Sequence, residues 1–372
     1  MSIRSDLKKE GIEITKELSS ATVTALAKSI SEKICITFPE YNFNQADLFV
    51  KLCKLKMYMA KMPEGMAEAN YYHKNTSIYF NDKIDLNDIE EFAIHECIHY
   101  LQEVKDKKNT LVRMGLSEYN GMHIYGLGIN EAAVQLMSSK IIGIQKEYVK
   151  YFGINFETNS PSYYPLECAL VNQLAFLVGE DILFESTINS NNNFKKTLSN
   201  LTSLKAYVTI QNSIDDILLK EEEIIVLNNK IFDTNDNNKT LSNYRKKIDE
   251  LKDEITIVFM KTQNLIISSY FDNEFKRISN LEQVENYRRK LHNFRSYIGI
   301  TEYYTYYDEY YINKMDDLEK LYISIENGTF TNAELPAVVK KHKFIEILNS
   351  IKNFFSKLIG SNNKETKREN NS

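Results

Sequence analysis

Cysteine is scarce in this chain. Its four cysteines (Cys35, Cys53, Cys97 and Cys168) lie far apart, with no CxxC pair and no dense framework. That excludes a disulfide scaffold and reads as a reduced, intracellular protein. A basic excess is missing as well: the net charge is -5 and the sequence pI ≈ 5.8. This argues against a dedicated nucleic-acid binder. The first twenty residues mix charges and lack an apolar signal-peptide core, and no apolar run approaches the ~20 residues of a membrane span. The expected location is therefore the cytoplasm, with no transmembrane segment. What the chain does contain is ordinary for a globular protein, with 43% apolar and 26% charged residues. Its 372 residues suit one large domain or two smaller ones.

Apolar spacing predicts a helix over residues 5 to 35 and a second over 45 to 62, broken by Pro63 and Gly65. "NYYHKNTSIYF" (70 to 80) reads as a strand or short hairpin. Asn87 or Asp88 can cap a helix running to about Lys105. Asn120-Gly121 signals a two-residue hairpin turn, Asn130 suits an N-cap, and residues 164 to 184 read as a strongly apolar helix. From about residue 212 the chain becomes charged, with long amphipathic helices over 214–231 and 241–275 and a third near 280–297. The tyrosine-dense segment 301–315 reads as a helix packing its aromatic faces, with a binding strip as the alternative. Residues 342–360 form an amphipathic pattern suited to docking on the helical region or lying on a membrane surface, and the polar tail is expected to be disordered. The expected organisation is a helical segment (1–64), a catalytic domain (65–212), a coiled-coil-like helical region (213–360) and a tail (361–372).

The chemistry concentrates in "FAIHECIHYL" (92 to 101). His95 and His99 are four apart, so on a helix they present imidazoles to one point. Glu96 projects beside that point, where it can take a proton from a metal-activated water and return it to a leaving amine. The surrounding residues are uncharged, and a buried His/Glu/His cluster is costly unless paired or bound to an ion. Neutral imidazole suits zinc, whose catalytic sites use three protein ligands. The metzincin continuation HExxHxxGxxH is excluded, because Gln102 and Lys105 stand at its next two positions. Downstream, "GLGINEAAVQ" offers Glu131 at a helix start, behind a glycine-containing turn. Ala132 and Ala133 beside it allow a close helix approach.

"HECIHYLQ" followed by "NEAAVQ" resembles the gluzincin clan of zinc metallopeptidases, and is most similar to zincin-like proteins of low-GC bacteria. The resemblance spans roughly residues 65 to 185. It implies one Zn²⁺ ion held by His95, His99 and Glu131, with Glu96 as general base. It also implies an α+β, mainly helical fold: a zincin-like metallopeptidase domain with a small antiparallel sheet, followed here by long antiparallel helices. One departure stands out. The acidic residue that often follows the third ligand and orients the first histidine is absent, and Val134 and Gln135 occupy that neighbourhood.

An oxyanion donor is also needed, and His123 and Tyr125, just before Glu131, are candidates together with Tyr163 and Tyr164. "NTSIYF" suits either an edge strand that pairs with an extended peptide or an interior strand. The expected function is zinc-dependent hydrolysis of a peptide or protein substrate, as endo- or exopeptidase. The alternative is a zincin-fold binding or scaffold protein, catalytically weak or inactive, whose C-terminal helices engage a protein partner. An exported, toxin-like peptidase has no positive support in the sequence.

Overall fold

Ser19 starts the first helix. Its hydroxyl accepts the Thr22 N–H at 3.1 Å, and α1 (Ser20–Thr37) buries Val23, Leu26, Ala27, Ile30 and Ile34 along one face. The computed structural model describes residue 7 and residues 11–63, 65, 67–121, 123–233 and 238–329. The expected amphipathic helix 342–360 and polar tail 361–372 lie outside the described residues. The helix expected over 5–35 does not extend back from Ser19. Gly11 takes φ +76, and Glu13–Glu17 forms strand β1. The second helix is likewise shorter than its periodicity suggested. Asn44 caps α2 (Gln45–Leu52), and the remainder forms strand β2 (Lys56–Lys61) with Met57 and Met59 buried. Pairing on both edges of β2 outweighs the helix propensity of its Lys, Met and Ala residues.

The next two strands, β3 (Ala69–Tyr72) and β4 (Ser77–Asn81), form the expected hairpin. The sheet order is β1-β2-β4-β3, with β2 and β4 parallel and the other pairs antiparallel. β4 is therefore the interior strand, and β3 is the outer one. Helix α3 (Ile89–Leu101) packs on β3 and β4 with Ala93, Ile94, Cys97 and Ile98 buried. It ends before Lys105, because Gln102 is drawn into other bonds. Its carbonyl accepts from Ser190 Oγ at 2.5 Å, and its side chain pairs with Asn130 at 3.4 Å.

A second sheet follows as an antiparallel meander of β5 (Glu103–Lys105), β6 (Leu111–Met114), β7 (Ser117–Asn120) and β8 (His123–Tyr125). The expected hairpin forms, but Asn120 pairs with His123, so the turn begins one residue later, at Gly121. Asn130 is not the cap of α4 (Leu127–Ile142). Gly126, at φ +76, takes that place, and the Asn130 amide oxygen accepts the Leu116 N–H at 2.9 Å. A hairpin of β9 (Glu147–Tyr151) and β10 (Ile154–Thr158) precedes α5 (Pro165–Val178). Gly179 divides the expected 164–184 helix into α5 and α6 (Glu180–Ile188). Then come α7 (Asn193–Leu201), the long pair α8 (Leu204–Asp233) and α9 (Asn238–Phe275), α10 (Leu281–Phe294) and α11 (Tyr306–Glu326). The tyrosines of α11 pack as expected of an aromatic face: Tyr307 is buried against Phe294, and Tyr310 donates to Asp272 at 2.7 Å. The fold is α+β and mainly helical, and no described helix is long and apolar enough to cross a membrane.

The change of composition near residue 212 falls inside α8 rather than between units. One continuous core runs from Leu18 to Leu321. Asp215 of α8 accepts the N–H groups of Gly126 and Gly128, both at 2.8 Å, at the start of α4. A Cβ on Gly128 would stand 2.8 Å from the Ile214 carbonyl, so glycine is what lets the two helices approach. Glu167 of α5 and Glu221 of α8 form a second link, a buried carboxyl pair pushed above the usual carboxylate range first by burial, then by the charge of Glu131 on Glu167 and by Glu167 on Glu221.

Two outcomes follow for stability. A chain ending at residue 212 loses Asp215 and the buried Ile214, Ile217, Leu218, Ile224 and Leu227. At ~1.5–3 kcal/mol each, these rival a whole domain's ~5–15 kcal/mol. Circular dichroism of that fragment should show no cooperative thermal transition. The carboxyl pair sets the pH response. Raised pKa values mean that stability is full below the unfolded value and falls as pH rises from ~5 through neutrality. Glu221→Gln, which cannot ionise, should flatten the decline of Tm across that range; a parallel decline in both proteins would exclude the pair as its source.

Candidate metal centre

Four residues of helical spacing bring His95 and His99 to one side of α3, with their Nε2 atoms 3.0 Å apart. Two imidazole nitrogens that close cannot both aim lone pairs at one point without a positive charge between them. The third group comes from α4. Glu131 Oε2 lies 3.3 Å from each Nε2. α4 packs against α3, and Ala132 and Ala133 beside Glu131 are both fully buried. The sequence-expected ligands His95, His99 and Glu131 thus converge.

The spacing fits zinc. A tetrahedral ion with bonds of ~2.0–2.1 Å sets its ligand atoms about 3.3–3.4 Å apart. The donor set of two imidazoles and one carboxylate is also the type that zinc takes. Gln135, one turn beyond Glu131, completes the support. Its Oε1 lies 3.0 Å from His95 Nδ1. An amide oxygen only accepts, so Nδ1 carries the proton and Nε2 keeps the lone pair for a metal. Gln135 therefore does what the missing acidic residue was expected to do. Electrostatics tighten the group further. Burial alone would depress His99, but the Glu131 carboxylate outweighs it and lifts His99 to about 9. Burial alone would raise Glu131, yet the two histidines hold it well below the usual carboxylate range. A metal cation entering near neutral pH would displace the His99 proton.

Glu96 is buried beside the group without joining it. Its Oε2 accepts the Tyr71 N–H of outer strand β3 at 2.6 Å, so a backbone bond aims the carboxylate. A cavity opens alongside, lined by His95, Glu96 and Gln135 at one end and reaching Glu68, Tyr163 and Tyr164. Tyr164 lies against His95, with ring centroids 6.2 Å apart and planes 27° apart. It sits at φ 51 in the left-handed region, a conformation that costs a non-glycine residue of order 1–3 kcal/mol and persists only where surroundings enforce it. Burial, then the charges of Glu131 and Glu96, push its phenol far up.

The structure places His123 and Tyr125 apart from this group. Both are exposed on β8, and neither lines the cavity. Tyr163 and Tyr164 line it. Tyr119 of β7 feels the charge of the group: burial, then Glu131 and Glu103, push its phenol up to about 12. Nothing local distinguishes it among twenty-four tyrosines.

Comparison with known proteins returned no match: no family model, no curated protein and no solved structure is significantly similar to this chain.

Gln135 carries a clear expectation. Gln135→Leu keeps the volume but removes the acceptor from His95 Nδ1, which should weaken zinc binding by ~10–100-fold. Competition against a fluorescent chelator measures it, and an unchanged affinity would remove Gln135 from the support of the site.

Proposed function

We propose that this chain is a zinc-dependent peptidase of gluzincin type, built on a zincin-like fold. The observation that carries this reading is the convergence of His95, His99 and Glu131 at 3.0–3.3 Å with Glu96 anchored beside them. Zinc, when bound, supplies a Lewis acid for a carbonyl oxygen and lowers the pKa of water. The proton transfers belong to the chain. Glu96, fixed through Oε2 by the Tyr71 amide, takes the proton of the attacking water on its other oxygen and delivers it to the departing nitrogen. His95 is held in one tautomer by Gln135 and flanked by the Tyr164 ring, so little motion of the ligand set accompanies the reaction. Tyr164, which lines the cavity against His95, is the phenol we assign to donate to developing negative charge.

A binding role has one observation in its favour. Leu219, Ile225, Val226 and Phe232 of α8 expose apolar side chains. Such a role gives no reason for three ligating groups and a fourth carboxylate to meet in a buried place, so the peptidase reading is preferred.

Glu96→Gln separates the two. The variant should bind zinc at the wild-type stoichiometry by elemental analysis while losing cleavage of a mixed peptide library by at least ~100-fold. Equal turnover in both proteins would sink the mechanism.

A further inference from the structure

The cavity beside His95 and Glu96 has a volume of ≈ 240 Å³. This is below the ~300–1,000 Å³ of sites that take a drug-sized molecule, and it suits one side chain or one chain terminus. Ile142 at the end of α4 and Ile144 just beyond it give the cavity an apolar wall. Phe92 and Tyr163 stand at another side with rings edge to face at 6.5 Å.

Its polar lining is of one sign. Glu68 and Glu91 both line it, and among the described lining residues none is lysine or arginine. No described cation pairs with either carboxylate. Glu90, the neighbour of Glu91, by contrast takes Lys33 at 2.6 Å on the other side of α3. Glu68 accepts from the Tyr163 hydroxyl at 2.7 Å, which keeps it in place as an acceptor. A third observation is independent of the carboxylates. Ser138 lines the cavity, is 1% exposed, and its Oγ has no hydrogen-bond partner. A buried hydroxyl left without a partner costs about 1–3 kcal/mol, which a ligand reaching it would recover.

We infer, building on the peptidase reading, that this cavity selects substrates by a cationic group, an ammonium or guanidinium received by Glu68 and Glu91. The apolar walls cover an aliphatic stem, and the Phe92 and Tyr163 rings offer cation–π faces. Two sources supply that chemistry: a lysine or arginine side chain next to the scissile bond, or the free amino terminus of the substrate.

The test uses the zinc-loaded full chain and alanine-rich hexapeptides carrying one Lys, Arg, norleucine or Glu. Each is made with a free and with an acetylated amino terminus and a fluorophore at the other end. Cleavage gives kcat/KM, and anisotropy on the Glu96→Gln protein gives binding without turnover. The Lys or Arg peptides should exceed norleucine by about tenfold or more in both measurements, if the side chain is the cation. If the amino terminus is the cation, acetylation should cause that loss instead, whatever the side chain. Glu68→Gln and Glu91→Gln, with melting curves to verify folding, should collapse the preference toward unity. Cleavage and binding indifferent to both charge sources would overturn the inference while leaving the peptidase reading standing. Selective binding with no cleavage of any peptide would do the reverse.

Discussion

Two imidazoles and a carboxylate held within 3.3 Å of one another, away from bulk water, are the constraint that the rest of the molecule serves. In isolation such a group would separate and hydrate. Here it is held because α3 is fixed on the mixed sheet and α4 packs against α3, with Gln135 bonded to His95 across the contact. The position of α4 is fixed in turn from behind. Asp215 supplies acceptors for two N–H groups at its first turn, and Gly128 lets the Ile214 carbonyl come within contact. The long helices are therefore part of the scaffold of the centre, not an appendage to it.

What was legible in the sequence was what depends on local spacing. His95, Glu96 and His99 are fixed by helical periodicity alone, and the glycine-containing turn and helix start before Glu131 were visible too. The β3–β4 hairpin and the aromatic helix α11 were also visible in local pattern. What could not be read depends on partners distant in the chain. Lys56–Lys61 looks helical until β1 and β4 are beside it, and Glu13–Glu17 has every residue exposed, so no burial pattern marks it as a strand. The β9–β10 hairpin was hidden by its turn, where Phe152 takes the positive φ usually given to Asn or Asp, before Gly153. The same holds at the site. Tyr163 meets Glu68 across 95 positions, and Asp215 reaches Gly126 across 89.

The two acidic features have opposite characters. Glu68 and Glu91 stand at an accessible cavity where a charge can be answered from outside. Glu167 and Glu221 are enclosed between helices, where a shared proton is the cheaper answer.

The amide at position 135 has a consequence for the charge of the centre. A carboxylate there would balance a divalent ion together with Glu131, leaving a neutral assembly. Gln135 contributes an acceptor but no charge, so an ion held by two neutral imidazoles and one carboxylate retains an unbalanced positive charge. Such a centre is the stronger electrophile and the weaker trap for its metal. If the group holds a divalent ion, chemistry at lower pH and easier exchange of that ion would both trace to this one uncharged side chain.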